Sequence, residues 1–132
     1  GIRSTKNYRT GSWQGYHDTD MIATVDLGSQ KTISSVKVNF LRDQGAWIFY
    51  PKDVQCLVSK DNKTFKTLAS KKINTTEKNS IIEIETIEFK INSGEFKYIK
   101  IIAKKLNELP KWHIGHESNG KSWIFIDEIS IE

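Results

Sequence analysis

Two aspartates bracket a threonine at Asp18-Thr19-Asp20, and the run WHIGHE brings His113, His116 and Glu117 close together in the chain. Paired carboxylates perform glycoside hydrolysis when held about 5 to 5.5 Å apart for retention, and farther apart to admit a water for inversion. A loop pair has no such spacing imposed by its sequence, and no lid segment follows it to exclude water. The two histidines and Glu117 lack a helix to hold them on one face, and no fourth ligand for a transition metal is specified. The serines form no nucleophile elbow and the glycines no phosphate loop. Catalysis is therefore the weaker reading for these residues, and hydrogen bonding to a ligand or within the loop is the stronger one.

A different chemistry suits the stretch FLRDQGAWIFYPK, residues 40 to 52, where Arg42, Asp43 and Gln44 precede Trp47, Phe49 and Tyr50. A sugar ring offers an apolar face of C–H groups and a rim of hydroxyls. Its site needs a flat aromatic surface and several rigid polar groups; Trp and Tyr supply such area at low entropic cost. Three segments carry this mixture: YRTGSWQGYHDTD, RDQGAWIFYP and LNELPKWHIGHESNGKS. The candidate ligand contacts are Tyr16, Asp18, Asp20, Arg42, Asp43, Trp47, Trp112 and His113. Each has an alternative structural role: loop packing for the tryptophans, an internal ion pair for Arg42 and Asp43. Trp13 and Trp123 read as core or loop-anchoring residues.

The elements that must position these groups read as strands. Period-two alternation marks IATVDLG, ended by Gly28, then SSVKVNF with Val36, Val38 and Phe40 on one face, and VQCLVS with Val54, Cys56 and Val58 inward. SKDNKTF supplies a polar turn. Across 80 to 91 the apolar parity moves from Ile82 and Ile84 to Ile87, Phe89 and Ile91, which predicts a bulge or a turn between two short strands. YIKIIAK and WIFIDEISI complete the set. No segment carries a capped helical stripe. Seven or eight such strands predict an all-β, antiparallel two-sheet sandwich with its variable chemistry in the end loops.

Size and charge narrow the function classes further. The 132 residues fit one domain, long enough to own a core without metal or disulfide. No stretch approaches the roughly 18 apolar residues of a membrane span, so membrane insertion is not expected. The single cysteine, Cys56, reads as a buried, inert thiol. The net charge of +4 comes from 20 basic and 16 acidic residues, and only Arg3, Arg9 and Arg42 are arginines. Nucleic-acid readers exploit the arginine fork; lysines interleaved with glutamates read instead as a solvated surface.

The ordered series VDLG, SSVKVNF, VSKDNKTF, FKYIKIIAK and WIFIDEISI resembles the discoidin or coagulation factor type C family. GSWQGY, FLRDQGAWIFYPKDV and KWHIGHESNGKSWIFIDEI are most similar to the family 32-like carbohydrate-binding modules of bacterial glycoside hydrolases, notably β-hexosaminidases. The resemblance covers nearly the whole chain and implies one jelly-roll module, residues 1–132, excised from a larger protein. It implies a non-catalytic domain of a secreted, periplasmic or cell-surface protein, with a glycan and the catalytic domain of the same polypeptide as partners. The sugars implied contain galactose or N-acetylhexosamine, at the loops holding Tyr16 to Asp20, Arg42 to Trp47 and Trp112 to His116. It further implies a structural calcium near the chain ends, with Glu128 as an acidic ligand and Gly1 beside the other ligands. A salt bridge is the plain alternative for Glu128, and a start at Gly1 would leave that site incomplete. The competing reading of the whole chain is a structural accessory domain that packs against a catalytic domain and binds no glycan.

Overall fold

The computed structural model describes residues 14–73, 75, 77–91, 95–118 and 120–131, with residue 128 as backbone alone. Eight strands follow in chain order: β1 (Gln14–His17), β2 (Met21–Thr32), β3 (Ser35–Arg42), β4 (Asp53–Ser59), β5 (Lys66–Lys72), β6 (Glu83–Lys90), β7 (Glu95–Lys104) and β8 (Trp123–Ile131). A 3-10 turn, Gln44–Ala46, interrupts them. They form two four-stranded sheets, ordered β1-β8-β3-β6 and β2-β7-β4-β5, antiparallel throughout. The expected antiparallel β-sandwich of discoidin-like, jelly-roll type is the fold observed.

The alternating residues make the core. Val36, Val38 and Phe40 of β3 meet Val54, Cys56 and Val58 of β4, with Ile99 and Ile101 of β7 and Ile124 and Ile126 of β8 completing the interior. Each such side chain removed from water contributes about 1.5 to 3 kcal/mol. Burial also pushes the Cys56 thiol up to about 11, which keeps it protonated and inert.

Four local features depart from the period-two reading. β6 runs unbroken from Glu83 to Lys90 against β3, with no bulge. Ile82 lies before the strand and is exposed, Ile84 is half-buried on the opposite face, and Ile87 and Phe89 face the core, so the parity change is a change of face within one continuous strand. β2 continues past Gly28 to Thr32 through an irregularity between Asp26 and Lys31. There Gly28 takes φ +84 and donates its N–H to Asp26 Oδ1 at 2.8 Å. β1 lies within a segment read as loop, and the lysine-rich edge strand β5 carries too little buried apolar surface to announce itself.

The topology matters most at one end. His17 pairs Trp123, Met21 pairs Ala103, Arg42 pairs Glu83, and Asp53 pairs both Lys72 and Lys104. The β1–β2, β3–β4, β5–β6 and β7–β8 connections therefore all emerge at the same end of the sandwich.

Candidate functional site

The β3–β4 loop is built as a platform. Asp43 and Ile48 form an isolated antiparallel bridge around the 3-10 turn, and Ile48 forms a parallel bridge to Trp123 at the start of β8. Trp123 N–H donates to Trp47 O at 2.9 Å and Phe49 N–H donates to Trp123 O at 3.1 Å, so the loop is held against the sheet by backbone bonds. Trp47 sits at φ 65, in the left-handed region, and turns its indole toward the β7–β8 loop.

That loop, residues 105–122, closes over the Trp47 ring. A Cβ on Gly115 would stand 2.9 Å from Trp47 Cζ2, and one on Gly120 would overlap the same indole, so only glycine permits this approach. Leu106, Leu109 and Phe49 form a second small core with Trp47 against it. His113 is the hub and is buried. Gly115 N–H donates to its Nδ1 at 3.0 Å, so Nε2 carries the proton and donates to Gln44 O at 2.7 Å. Trp47, Phe49 and Trp112 surround the imidazole, with ring centroids 5.5 to 5.7 Å away in edge-on geometry. His116 Nδ1 lies 2.7 Å from Leu109 O. Among the described residues no three His, Cys, Asp or Glu side chains gather as a metal site.

Above this platform opens a cavity of about 270 Å³, lined by Gln44, Gly45, Lys78, Ser80, Trp112, His113 and Ile114. Gln44 holds the far wall in place: its Nε2 donates to Glu77 O at 2.9 Å and its Oε1 accepts from Asn79 N–H at 2.8 Å. Trp112 is 38% exposed at the lip and Ile114 is 87% exposed beside it.

The predicted residues fall into separate places. Trp112 and His113 line this cavity, and Trp47 supports it from beneath. Asp43 lies in the turn of the platform, but its side chain is not on the cavity wall. Arg42 points to the β6 side, where it bonds Ile81 O and Glu83 at 3.1 Å and lies 5.4 Å from the Tyr50 ring centroid. Tyr16 packs half-buried against the main core. Asp18 pairs with Lys105 Nζ at 2.6 Å, and that hydrogen bond holds its carboxyl below the usual range. Asp20 accepts from Lys105 N–H at 2.9 Å and pairs with Lys104 at 3.4 Å. Asp18 and Asp20 are thus bound to the end of β7, away from the aromatic cavity. The calcium expectation lies outside the described residues, since both Gly1 and the Glu128 side chain do; so does Trp13.

Gln44 and Ile114 lie within two of the implied loops without having been named as contacts, and Lys78 and Ser80 fall outside all three loops. Gln44 had a signal, a polar residue at the end of an apolar strand, but the β5–β6 residues sit far away in sequence.

A two-sheet antiparallel sandwich with its built loops gathered at one end is an architecture shared by many binding modules. The chain matches the F5/8 type C domain over residues 3–129 and belongs to that family, whose members are non-catalytic binding domains. The fold is similar to that of the Clostridium perfringens module CpGH89CBM32-5, solved in complex with GalNAc-β-1,3-galactose. That likeness has 17% identity and a TM-score of 0.52, and covers 89% of this chain and 73% of that one. It is also similar to a variant of chitosan-binding module 1 from a chitosanase/glucanase of Paenibacillus sp. IK-5, with 16% identity, TM-score 0.51, and coverage of 89% and 74%. The K2 cleaved adhesin domain of Lys-gingipain is a third, with 12% identity, TM-score 0.50, and coverage of 98% and 96%. The comparison with curated proteins finds no match.

Proposed function

We propose that this domain binds a neutral glycan in the aromatic cavity and so holds a secreted bacterial glycoside hydrolase on its substrate. The observation that carries the reading is the exposed Trp112 indole at the lip of a preformed, largely apolar cavity. A pyranose laid on the indole would bury its C–H face, while its hydroxyls meet Ser80 and Lys78. Galactose or N-acetylhexosamine rings are the sugars we put forward, in keeping with the ligand of the similar C. perfringens module. The cavity is small and open, so single-site affinity is weak; a tethered catalytic domain recovers it through effective concentration. A glycan-array screen followed by calorimetry tests this. Binding that is lost in Trp112→Ala supports it; no binding at millimolar sugar by the folded chain overturns it.

One observation favours the accessory-domain reading. Ile81, Ile82, Ile114 and Trp112 are all exposed, and two of them line the cavity. Such apolar surface also suits docking against a catalytic domain. Protection of Trp112 fluorescence by the parent's catalytic domain, and by no sugar, would select that alternative. The calcium expected at Glu128 and Gly1 belongs to the same proposal: a Tm raised by calcium and lowered by EDTA supports it, and an unchanged Tm removes it.

A further inference from the structure

A second, larger cavity of about 710 Å³ opens at the same end of the sandwich, on the β2-β7-β4-β5 sheet, and shares no lining residue with the aromatic one. Four lysines, Lys52, Lys72, Lys104 and Lys105, stand against two aspartates, Asp20 and Asp53, with Ile73 and Asn107 completing the wall. From this structure we infer that it is a separate binding site for an acidic saccharide, one bearing a carboxylate or a sulfate group.

The sheet register builds the site. Lys72, Asp53 and Lys104 are direct partners across three adjacent strands, so their side chains emerge side by side on the outer face. The backbone extends the row: Lys52 N–H donates to Lys104 O at 2.9 Å and Ile73 N–H donates to Lys52 O at 3.1 Å. The backbones of these lysines are thereby held at strand ends or one residue beyond them. The neighbouring aspartates offset only part of this charge. Asp20 engages Lys104, and Asp18, outside the lining, engages Lys105. Lys52 Nζ bonds only the neutral Asn107 Oδ1, at 3.2 Å, and Lys72 has no ion pair among the described residues. With four lysines set against Asp18, Asp20 and Asp53, an anion entering here meets a net positive field.

A bare anion would leave one group unanswered. Asp53 Oδ1 is buried and accepts no hydrogen bond, a state that costs free energy. The terminal torsion of a carboxylate is soft, so a small turn lets it accept from a hydroxyl. A ligand that carries hydroxyls beside an anionic group satisfies both demands, and a volume of this size accommodates a small saccharide. A polycationic glycan is repelled by the same lysines. The inference stands independently of the aromatic cavity.

Backbone-amide NMR titration of the whole 132-residue chain tests it. The probes are digalacturonic acid for the carboxylate source, galactose 6-sulfate for the sulfate source, and galactose as the neutral control. Shifts at Asp53, Lys72, Lys104 and Asn107 with either acid, weakened by raising salt from roughly 50 to 500 mM, support the site, and the stronger acid identifies the group. Replacing Lys52→Gln and Lys72→Gln together, both exposed, should weaken that acid by about tenfold or more. The site is overturned if neither acid shifts these amides, if galactose shifts them as strongly, or if the double variant binds as before. A single-stranded oligonucleotide that binds there more tightly than either acid overturns it as well. The amides of Gln44, His113 and Ile114 report the aromatic cavity in the same spectra, so the two sites fail or succeed separately.

Discussion

Trp47 and Trp112 divide a single residue type between two jobs. Trp47 is clamped by the Gly115–Gly120 loop and supports the platform, whereas Trp112 reaches the surface. Gly120→Ala should therefore overpack the Trp47 ring and cost roughly 1 to 3 kcal/mol, seen as a lower Tm. Trp112→Ala should abolish neutral-glycan binding with a smaller change in Tm. The sequence could not separate the two indoles, because the deciding contacts come from glycines some seventy residues beyond Trp47. Cys56 makes a prediction of a different kind. Its folded pKa is raised from 9.0 to about 11, so the stability it contributes is complete below pH 9 and is lost as pH rises through 11. The loss is on the order of 2 to 3 kcal/mol. Cys56→Ala should flatten the fall in chemical-denaturation stability over that window. A further decline from pH 10 to about 12 remains, because burial also raises Tyr50 to about 12.

At the scale of elements, Gln44 ties the 3-10 turn to the β5–β6 loop. Its amide accepts from Asn79 N–H and donates to Glu77 O, fixing the wall that holds Lys78 and Ser80. Gln44→Ala should cost about 1 to 3 kcal/mol by removing both hydrogen bonds. Calorimetry should also show weaker neutral-sugar binding, since the wall is no longer held. Strands with strict alternation, such as SVKVNF in β3 and VQCLV in β4, were legible because one face is wholly buried. β5 was not, since an edge strand written as KTLASKK hides in a solvated surface pattern. The same lysines of β5 and β7 read as ordinary surface until the register set Lys72 and Lys104 on either side of Asp53.

For the whole molecule, the order of strands decides which loops meet. Every odd-to-even connection leaves the sandwich at one end, and this is why segments scattered from Tyr16 to His116 are gathered there. The two-sheet fold and the three loops were legible from alternation and from the family resemblance. Their partition was not: Asp18 and Asp20 are drawn to Lys104 and Lys105 by charge, while Trp112 and His113 are drawn to Trp47 and Phe49 by apolar contact. A molecule with two chemically distinct cavities at one end should respond to neutral and acidic sugars through different amides. The aromatic cavity is the central claim, and titration of the isotope-labelled chain with galactose and with N-acetylgalactosamine tests it most directly. The account predicts saturable shifts confined to Gln44, Ser80, Trp112, His113 and Ile114 for at least one of the two sugars. Spectra that stay unchanged with both, at millimolar sugar and with the chain folded, would contradict it.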